Sequence, residues 1–460
     1  MRIMAPAIDP DTGRLLVQPI DRREMARALL ERLPDAGRYA RMLMEATSTA
    51  TTLRGALERA PTVDLGDPSA AGWTYLVAAD DPDRDRIADV LRPLAVARGM
   101  TEQVEPLEFG GEPPDAWTDW MLERYWRIEG KPPHYVLIVG GPDRVPFHFQ
   151  SVLDSAASVG RVAFDSLDDL ATYVEKLLRI GREAPCSREA VVFATDHAGD
   201  DPTQYSRRYM AEPLADYVEG RLGVPTRLLA AQDATRERLL DELAGAPPAL
   251  LFSASHGAAP TGVSRAEQER RQGAIVCQDL QTLTAEDVPH TPFLEGGVVF
   301  QFACFGYGTP ARSDFAHWTG EDGHNAEADF VAALPKRLLA HPRGPVAFVG
   351  HVDLAWLHGF ADPTDPIMDE AWHPRVAPFV SAVENVLAPR TMGMAMVEMN
   401  KRFDIGNAQM ASTFDRHQRG LLPDDPHVLD RLVDTFIWRT DAQNYLVFGD
   451  PAVHVRMRGG

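Results

Sequence analysis

Two reactive side chains stand at the ends of two apolar runs. His256 closes Ala249-Leu250-Leu251-Phe252-Ser253-Ala254-Ser255 and is followed by Gly257. Cys304 closes Gly297-Val298-Val299-Phe300-Gln301-Phe302-Ala303, with Gly306 and Gly308 just beyond it. A cysteine attacks as its thiolate, and an imidazole within reach can take the thiol proton, so such a pair adds to carbonyl carbons. The small neighbours suit that chemistry. Gly257 has no Cβ, which lets backbone N–H groups approach a carbonyl oxygen, and Ala303, Gly306 and Gly308 leave room around the attacked carbon.

Both runs read as buried parallel strands, which are short and continuously apolar. In an open α/β sheet, chemistry gathers beyond the carboxyl ends of such strands. Elsewhere the chain alternates in the same way. Strands are expected at 73–79, 135–139, 190–194, 226–229 and 345–350, and a closing strand and turn at 444–451. Helices are expected at 83–98, 115–128, 167–182, 209–222, 236–243 and 326–340. Residues 20–60 look helical, with Asp21 as N-cap and Met25, Leu29, Leu30, Leu33, Tyr39, Met42 and Leu43 near helical spacing. Pro61 and the Gly66-Asp67-Pro68 turn end that stretch. The polar insertion Ala258–Gln272 holds Arg265, Arg270 and Arg271 and reads as a control loop open to self-cleavage or as a plain flexible one.

At 460 residues, 45% of them hydrophobic and 25% charged, the chain is a soluble globular protein of two or three domains. Its net charge of −21 repels phosphate backbones and argues against a nucleic-acid partner. Three cysteines, Cys186, Cys277 and Cys304, are too few and odd in number for a disulfide framework, so a reducing, cytoplasmic setting is expected. No secretory leader is evident in residues 1–25, and no apolar run is long enough to span a membrane. Gly306-Tyr307-Gly308 is too short for a dinucleotide loop, which weakens a nucleotide-binding reading. Asp314, His317, Asp322 and His324 fit no defined zinc spacing, and no metal is expected there.

Ser255-His256-Gly257 and Phe302-Ala303-Cys304 resemble the His-Gly and Ala-Cys segments of the caspase-like (clan CD) cysteine peptidases. The wider pattern is most similar to the gingipain-type branch. Tyr135–Phe147 resembles its strand-Gly-x-x-x-x-Pro segment, and Gly160-Arg161-Val162 with the helix after it resembles the join between its subdomains. Gly344–Gly350 with Trp356 resembles its pocket wall, and Phe448-Gly449-Asp450-Pro451 its closing Gly-Asp-Pro.

The resemblance implies a three-layer α/β/α sandwich with two side-by-side subdomains and mostly parallel sheets. The expected division is a helical N-terminal segment at 1–68, a non-catalytic subdomain at 69–186 and a catalytic one at 187–460. By carry-over Cys304 is the nucleophile, His256 the base and acid, and the amides of Gly257 and Cys304 the oxyanion hole. Asp196 is expected to orient His256, while Asp200 or Asp201 would meet a basic P1 side chain and Trp356 would wall the pocket. No cofactor is required, although the resemblance leaves room for structural calcium. The expected activity is endopeptidase cleavage of protein or peptide substrates in a regulated intracellular pathway, with no membrane partner. A catalytically silent relative that binds a regulatory protein partner is the alternative.

Overall fold

The computed structural model describes residues 2–4, 7–31, 42, 45–55, 64–100, 106–128, 132–183, 186–316, 324–362, 368, 373–423 and 425–457. The first elements are short strands: Arg2–Ile3 pairs antiparallel with Ile20–Asp21, and β1 (Ala7–Asp9) forms a hairpin with β2 (Arg14–Leu15). Helix α1 (Arg22–Glu31) follows, capped as expected by the Asp21 carboxylate, which accepts from the Arg23 and Glu24 amides. Residues 45–55 are also helical. The leader is therefore strand first and helix second rather than helical throughout; Leu33, Tyr39 and Leu43 lie outside the described residues.

The first α/β block runs β3 (Trp73–Ala78), α2 (Arg84–Ala97), β4 (Leu107–Phe109), β5 (Tyr135–Val139), α3 (Phe147–Asp154), β6 (Ser158–Val162) and α4 (Leu167–Ile180). The second runs β7 (Ser187–Ala194), α5 (Asp201–Ser206), α6 (Glu212–Gly220), β8 (Thr226–Ala230), α7 (Arg236–Ala244) and β9 (Pro248–Ala254). Then come β10 (His256–Ala258), α8 (Arg265–Arg271), β11 (Ile275–Val276), β12 (Thr282–Leu283), β13 (Val298–Phe302), β14 (Gly308–Thr309), β15 (Phe330–Val331), α9 (Ala333–Ala340) and β16 (Ala347–His351). Helices α10 (Ala377–Val386), α11 (Val397–Gln418) and α12 (Pro426–Asn444) lead into β17 (Tyr445–Phe448).

Ten strands make one sheet in the order β8-β7-β9-β13-β16-β17-β6-β5-β3-β4. Every neighbouring pair is parallel except β16 with β17. Alternate residues of a strand serve opposite faces. On β3, Trp73, Tyr75 and Val77 join Leu91 and Leu94 of α2 and Leu170 and Leu177 of α4, while Leu76 and Ala78 meet Trp117, Trp120 and Phe149 on the other side. The result is the expected α/β/α sandwich with a mostly parallel sheet.

The two halves of the sheet meet through β17, whose Phe448 registers with Arg161 of β6. Asp450, fully buried just beyond it, accepts from the Trp73 indole at 3.0 Å and from Arg98 at 2.8 and 2.6 Å. That carboxylate ties the last strand to both ends of the β3–α2 unit. The helix expected at 326–340 is shorter: residues 330–331 pair instead with β14 as a hairpin, and the helix starts at Ala333. Among the described residues no helix is long and apolar enough to cross a membrane.

One buried acid makes a pH prediction. Asp154 ends α3, and its carboxylate accepts the Val159 amide at 2.8 Å. Burial pushes its pKa from 3.8 up to about 7. Between those values the folded protein keeps a proton that the unfolded chain has lost, so stability falls as pH rises through the window. Asp154→Asn keeps the amide bond and carries no charge. Its Tm is expected to exceed that of the parent by about 2 °C or more at pH 8 and to converge with it near pH 4. Thermal melts across pH check this, and identical pH slopes would refute it.

Candidate active site

The site is set by register. Ala254 of β9 is level with Ala194 of β7 on one side and with Phe302 of β13 on the other. His256 and Cys304 each lie two residues past that line, so parallel pairing brings them to one edge of the sheet. The Ser255 amide donates to the Phe302 carbonyl at 3.2 Å and extends the pairing beyond the ladder. The loop after β7 reaches the same edge. Since β8 lies on one side of β7 and β9 on the other, the strand order reverses here, which is where open α/β sheets place their crevices.

Close approach at the strand ends explains Gly257. A Cβ there would overlap the Cys304 carbonyl oxygen and stand 2.8 Å from its carbon. Just past the cysteine the backbone turns sharply: Phe305 has φ +57° and Asp353, beyond β16, has φ +67°. The Phe305 amide donates to the Asp353 carbonyl at 2.8 Å, which holds the two unusual conformations together. The Asp353 carboxylate in turn accepts from Ser313, the Asp314 amide and Asn325.

His256 is buried, and its Nε2 lies 2.7 Å from Asp200 Oδ2. Burial pushes the Asp200 carboxyl up, but its bonds and charge interaction with His256 and its bonds from Thr203 outweigh this and leave it below the usual value. Asp200 is thus a carboxylate at neutral pH. It accepts a hydrogen bond from the Nε2–H and leaves Nδ1, which is buried with no hydrogen-bond partner, as the nitrogen with the open lone pair. His197 stacks on His256 with centroids 5.7 Å apart. Burial holds His197 below its ordinary pKa against the opposing pull of the Asp200 and Asp196 carboxylates, so it stays neutral.

This corrects the assignment of Asp196. Its carboxylate pairs with Arg207 at 2.9 Å, and its backbone N–H and C=O are both held by the Gln278 amide. Asp200 instead is the N-cap of α5, accepting from the Thr203 amide and hydroxyl, and the turn into that helix aims it at His256. Asp200 is therefore not free for a substrate cation. Asp201, in the first turn of α5, is exposed. His197 carries no signal of its own in the sequence, lying in a polar loop with no motif around it.

Cys304 is fully buried. Its sulfur accepts the Ala355 amide at 3.2 Å and lies 3.6 Å from the Ala355 carbonyl, to which the S–H can donate. Burial pushes its pKa well up; the Ala355 amide works against this, and the charges of Asp353 and Asp441 add to it, so the residue is a protonated thiol. It shares an apolar cluster with Phe305, Phe315, Ala355 and Trp356 and with Ile3, Ala7, Val17, Ile20 and Met25 from the N-terminal segment. Trp356 is fully buried in that cluster, 4.8 Å from the Phe315 ring, and its indole N–H has no partner.

The other cysteines are buried, Cys186 donating to the Glu295 carbonyl at 3.3 Å. Among the described residues no group of three or more His, Cys, Asp or Glu side chains is placed to hold a metal ion. Asp314 faces His148 at 3.2 Å, His324 is exposed, and His317 and Asp322 lie outside the described residues.

No protein-family model matches the chain, and no curated protein matches its sequence. Among solved structures it is similar to the Arg-specific cysteine proteinase gingipain R (RgpB), at 13% identity over 85% of this chain and 79% of that one, with a TM-score of 0.43. A complex of Porphyromonas gingivalis RgpB pro- and mature domains gives 13% identity, coverage of 82% and 79%, and a TM-score of 0.45. A further structure, described only as a protease, gives 12% identity, coverage of 84% and 78%, and a TM-score of 0.47. At this level of likeness the roles of individual residues rest on the geometry alone.

Proposed function

We propose that the protein is a cysteine endopeptidase in a closed form, with Cys304 as nucleophile, His256 as base and acid, and Asp200 as the residue that positions His256. One observation carries this reading: three neighbouring parallel strands, β7, β9 and β13, and the loop after β7 bring Asp200, His256 and Cys304 to one edge of the sheet, with an unpartnered imidazole nitrogen left over.

Catalysis would begin with transfer of the thiol proton to His256 Nδ1 and attack of the thiolate on a peptide carbonyl carbon. The tetrahedral oxyanion would sit against the amides of Gly257 and Cys304. His256 would return the proton to the leaving amine, and water would release the acyl group with the same residue as base. A basic P1 preference now leans on Asp201 alone, since Asp196 and Asp200 are engaged. The division at 68/69 and 186/187 and a cytoplasmic, regulated setting belong to this reading, the setting on the strength of a cysteine count of three, too few and odd for a disulfide framework.

The sealed, protonated Cys304 favours a second reading, a silent relative that binds partners without cutting them. An electrophilic peptide, incubated long enough for the covering segment to open and then mapped by mass spectrometry, tests the first. Modification of Cys304, but not of the equally buried Cys186 or Cys277, together with peptide cleavage is the expected result. Modification without cleavage would favour the silent relative, and no modification of Cys304 would remove the nucleophile.

A further inference from the structure

The strand that carries His256 and Gly257 is not an edge. In the small sheet β12-β11-β10-β1-β2, β10 is flanked on its far side by β1, so a piece of the N-terminus lies along the residues beside the nucleophile. Gly257 registers with Ala7 and Ala258 with Ile8, in parallel, and the Ala259 amide donates to the Ile8 carbonyl at 2.8 Å. On the opposite flank the Leu357 amide donates to the Met4 carbonyl at 2.8 Å. Cys304 lies between these flanks, its carbonyl against Gly257 and its sulfur on the Ala355 amide. Ile3 and Ala7 are fully buried in its cluster.

From this we infer that Ile3–Met4 and Ala7–Asp9 are the resident occupants of the peptide slot: held by main-chain bonds on the two flanks, they stand where a substrate would lie over Cys304. The inference rests on the peptidase reading for the word substrate, but not for the occupancy. Main-chain addition to a strand edge is a general mode of peptide binding, with side-chain pockets supplying the selectivity. The occupant shows what those pockets accept: small or aliphatic side chains, Ala7 and Ile3, among apolar walls. The slot therefore suits extended peptides that are small and apolar at these positions.

Anchors outside the cluster keep the segment in place. The Asp9 carboxylate accepts from the Thr261 hydroxyl and amide, and Arg271 of α8 pairs with Asp11 at 3.0 and 2.7 Å. Behind it, Arg22 of α1 pairs with Asp430 and Asp434 of α12. Strands this short, tied by polar contacts near the surface, can open without unfolding the large sheet.

The test uses full-length protein and iodoacetamide, with modification of Cys304 followed by mass spectrometry. The double variant Asp9→Ala/Asp11→Ala loosens the anchors without touching the apolar cluster. Ala7→Asp places an unpartnered carboxylate inside it, and if that variant fails to fold the double variant decides. Labelling of Cys304 is expected to be about tenfold or more faster in the loosened protein than in the parent, because reagent access follows local opening. A synthetic peptide of residues 1–12, added in excess, is expected to restore slow labelling. Equal rates in parent and variant, or no protection by the peptide, would overturn the occupancy. Peptide cleavage is read separately. A loosened protein that labels faster but cuts nothing defeats the peptidase reading and leaves the occupancy standing, while a parent that cuts freely with an already open thiol does the reverse.

Discussion

With residues 3–9 displaced, Asp200→Asn is expected to lower kcat/KM by up to about ten-thousand-fold, the loss seen when the carboxylate behind a catalytic histidine becomes an amide. The cause is the tautomer. Asp200 accepts from His256 Nε2 at 2.7 Å and so keeps the Nδ1 lone pair open. An asparagine can turn its amide donor toward Nε2, which moves the imidazole proton to Nδ1, the nitrogen that must accept from the thiol. The helix N-cap is not at issue, because Asn caps about as well as Asp.

Asp196→Asn is the matched control. It removes only a partly exposed pair with Arg207, for which a change within about fivefold is expected. The pH dependence has a definite sign. The folded Asp200 pKa is depressed below 3.8, so the pairing persists at mild acidity and is lost only as pH falls through the folded value. Steady-state kinetics on both variants checks the assignment, and a larger loss at Asp196 than at Asp200 would reverse it.

Gly257→Ala is expected to damage both stability and activity. The added Cβ would overlap the Cys304 carbonyl oxygen, and the backbone of β10 resists a shift because β11 pairs with it on one side and β1 on the other. Overpacking of this kind costs roughly 3 kcal/mol. Whatever relaxation the strands find must separate the Gly257 and Cys304 amides, the two donors proposed for the oxyanion. Loss of peptide cleavage with a lowered Tm is therefore expected, read by kinetics and by melting. Gly262, with open space where a Cβ would go, is a contrast for the clash but has its own φ of +66°. An active, stable Gly257→Ala protein would mean that the strand ends are farther apart than this geometry has them.

The strands that position the site could be read from the chain because their runs are continuously apolar and end in small residues. Strand 135–139 and helices 84–97 and 167–180 fall within a few residues of their expected bounds, since local periodicity alone specifies them. Where expectation and structure part, the deciding force is non-local. Asp196 and Asp200 share one loop, and only the placement of Arg207 and the start of α5 determine which carboxylate faces His256. Ala7-Ile8-Asp9 is too short to announce a strand and forms one because Gly257 and Ala258 offer an edge. The strand at 330–331 likewise exists through its pairing with β14.

By itself, then, the sequence determined the chemistry on offer: a thiol and an imidazole at the ends of two apolar strands, with a glycine where backbones must touch. Those features are local, and burial of a continuous apolar run leaves few alternatives to a parallel strand. Tertiary structure decided which acid faces the imidazole, how the last strand joins the two halves through Asp450, and that the thiol packs in one cluster with Ile3 and Ala7. These depend on contacts between residues from 56 to 377 positions apart, whose free energies exist only once the whole sheet has formed.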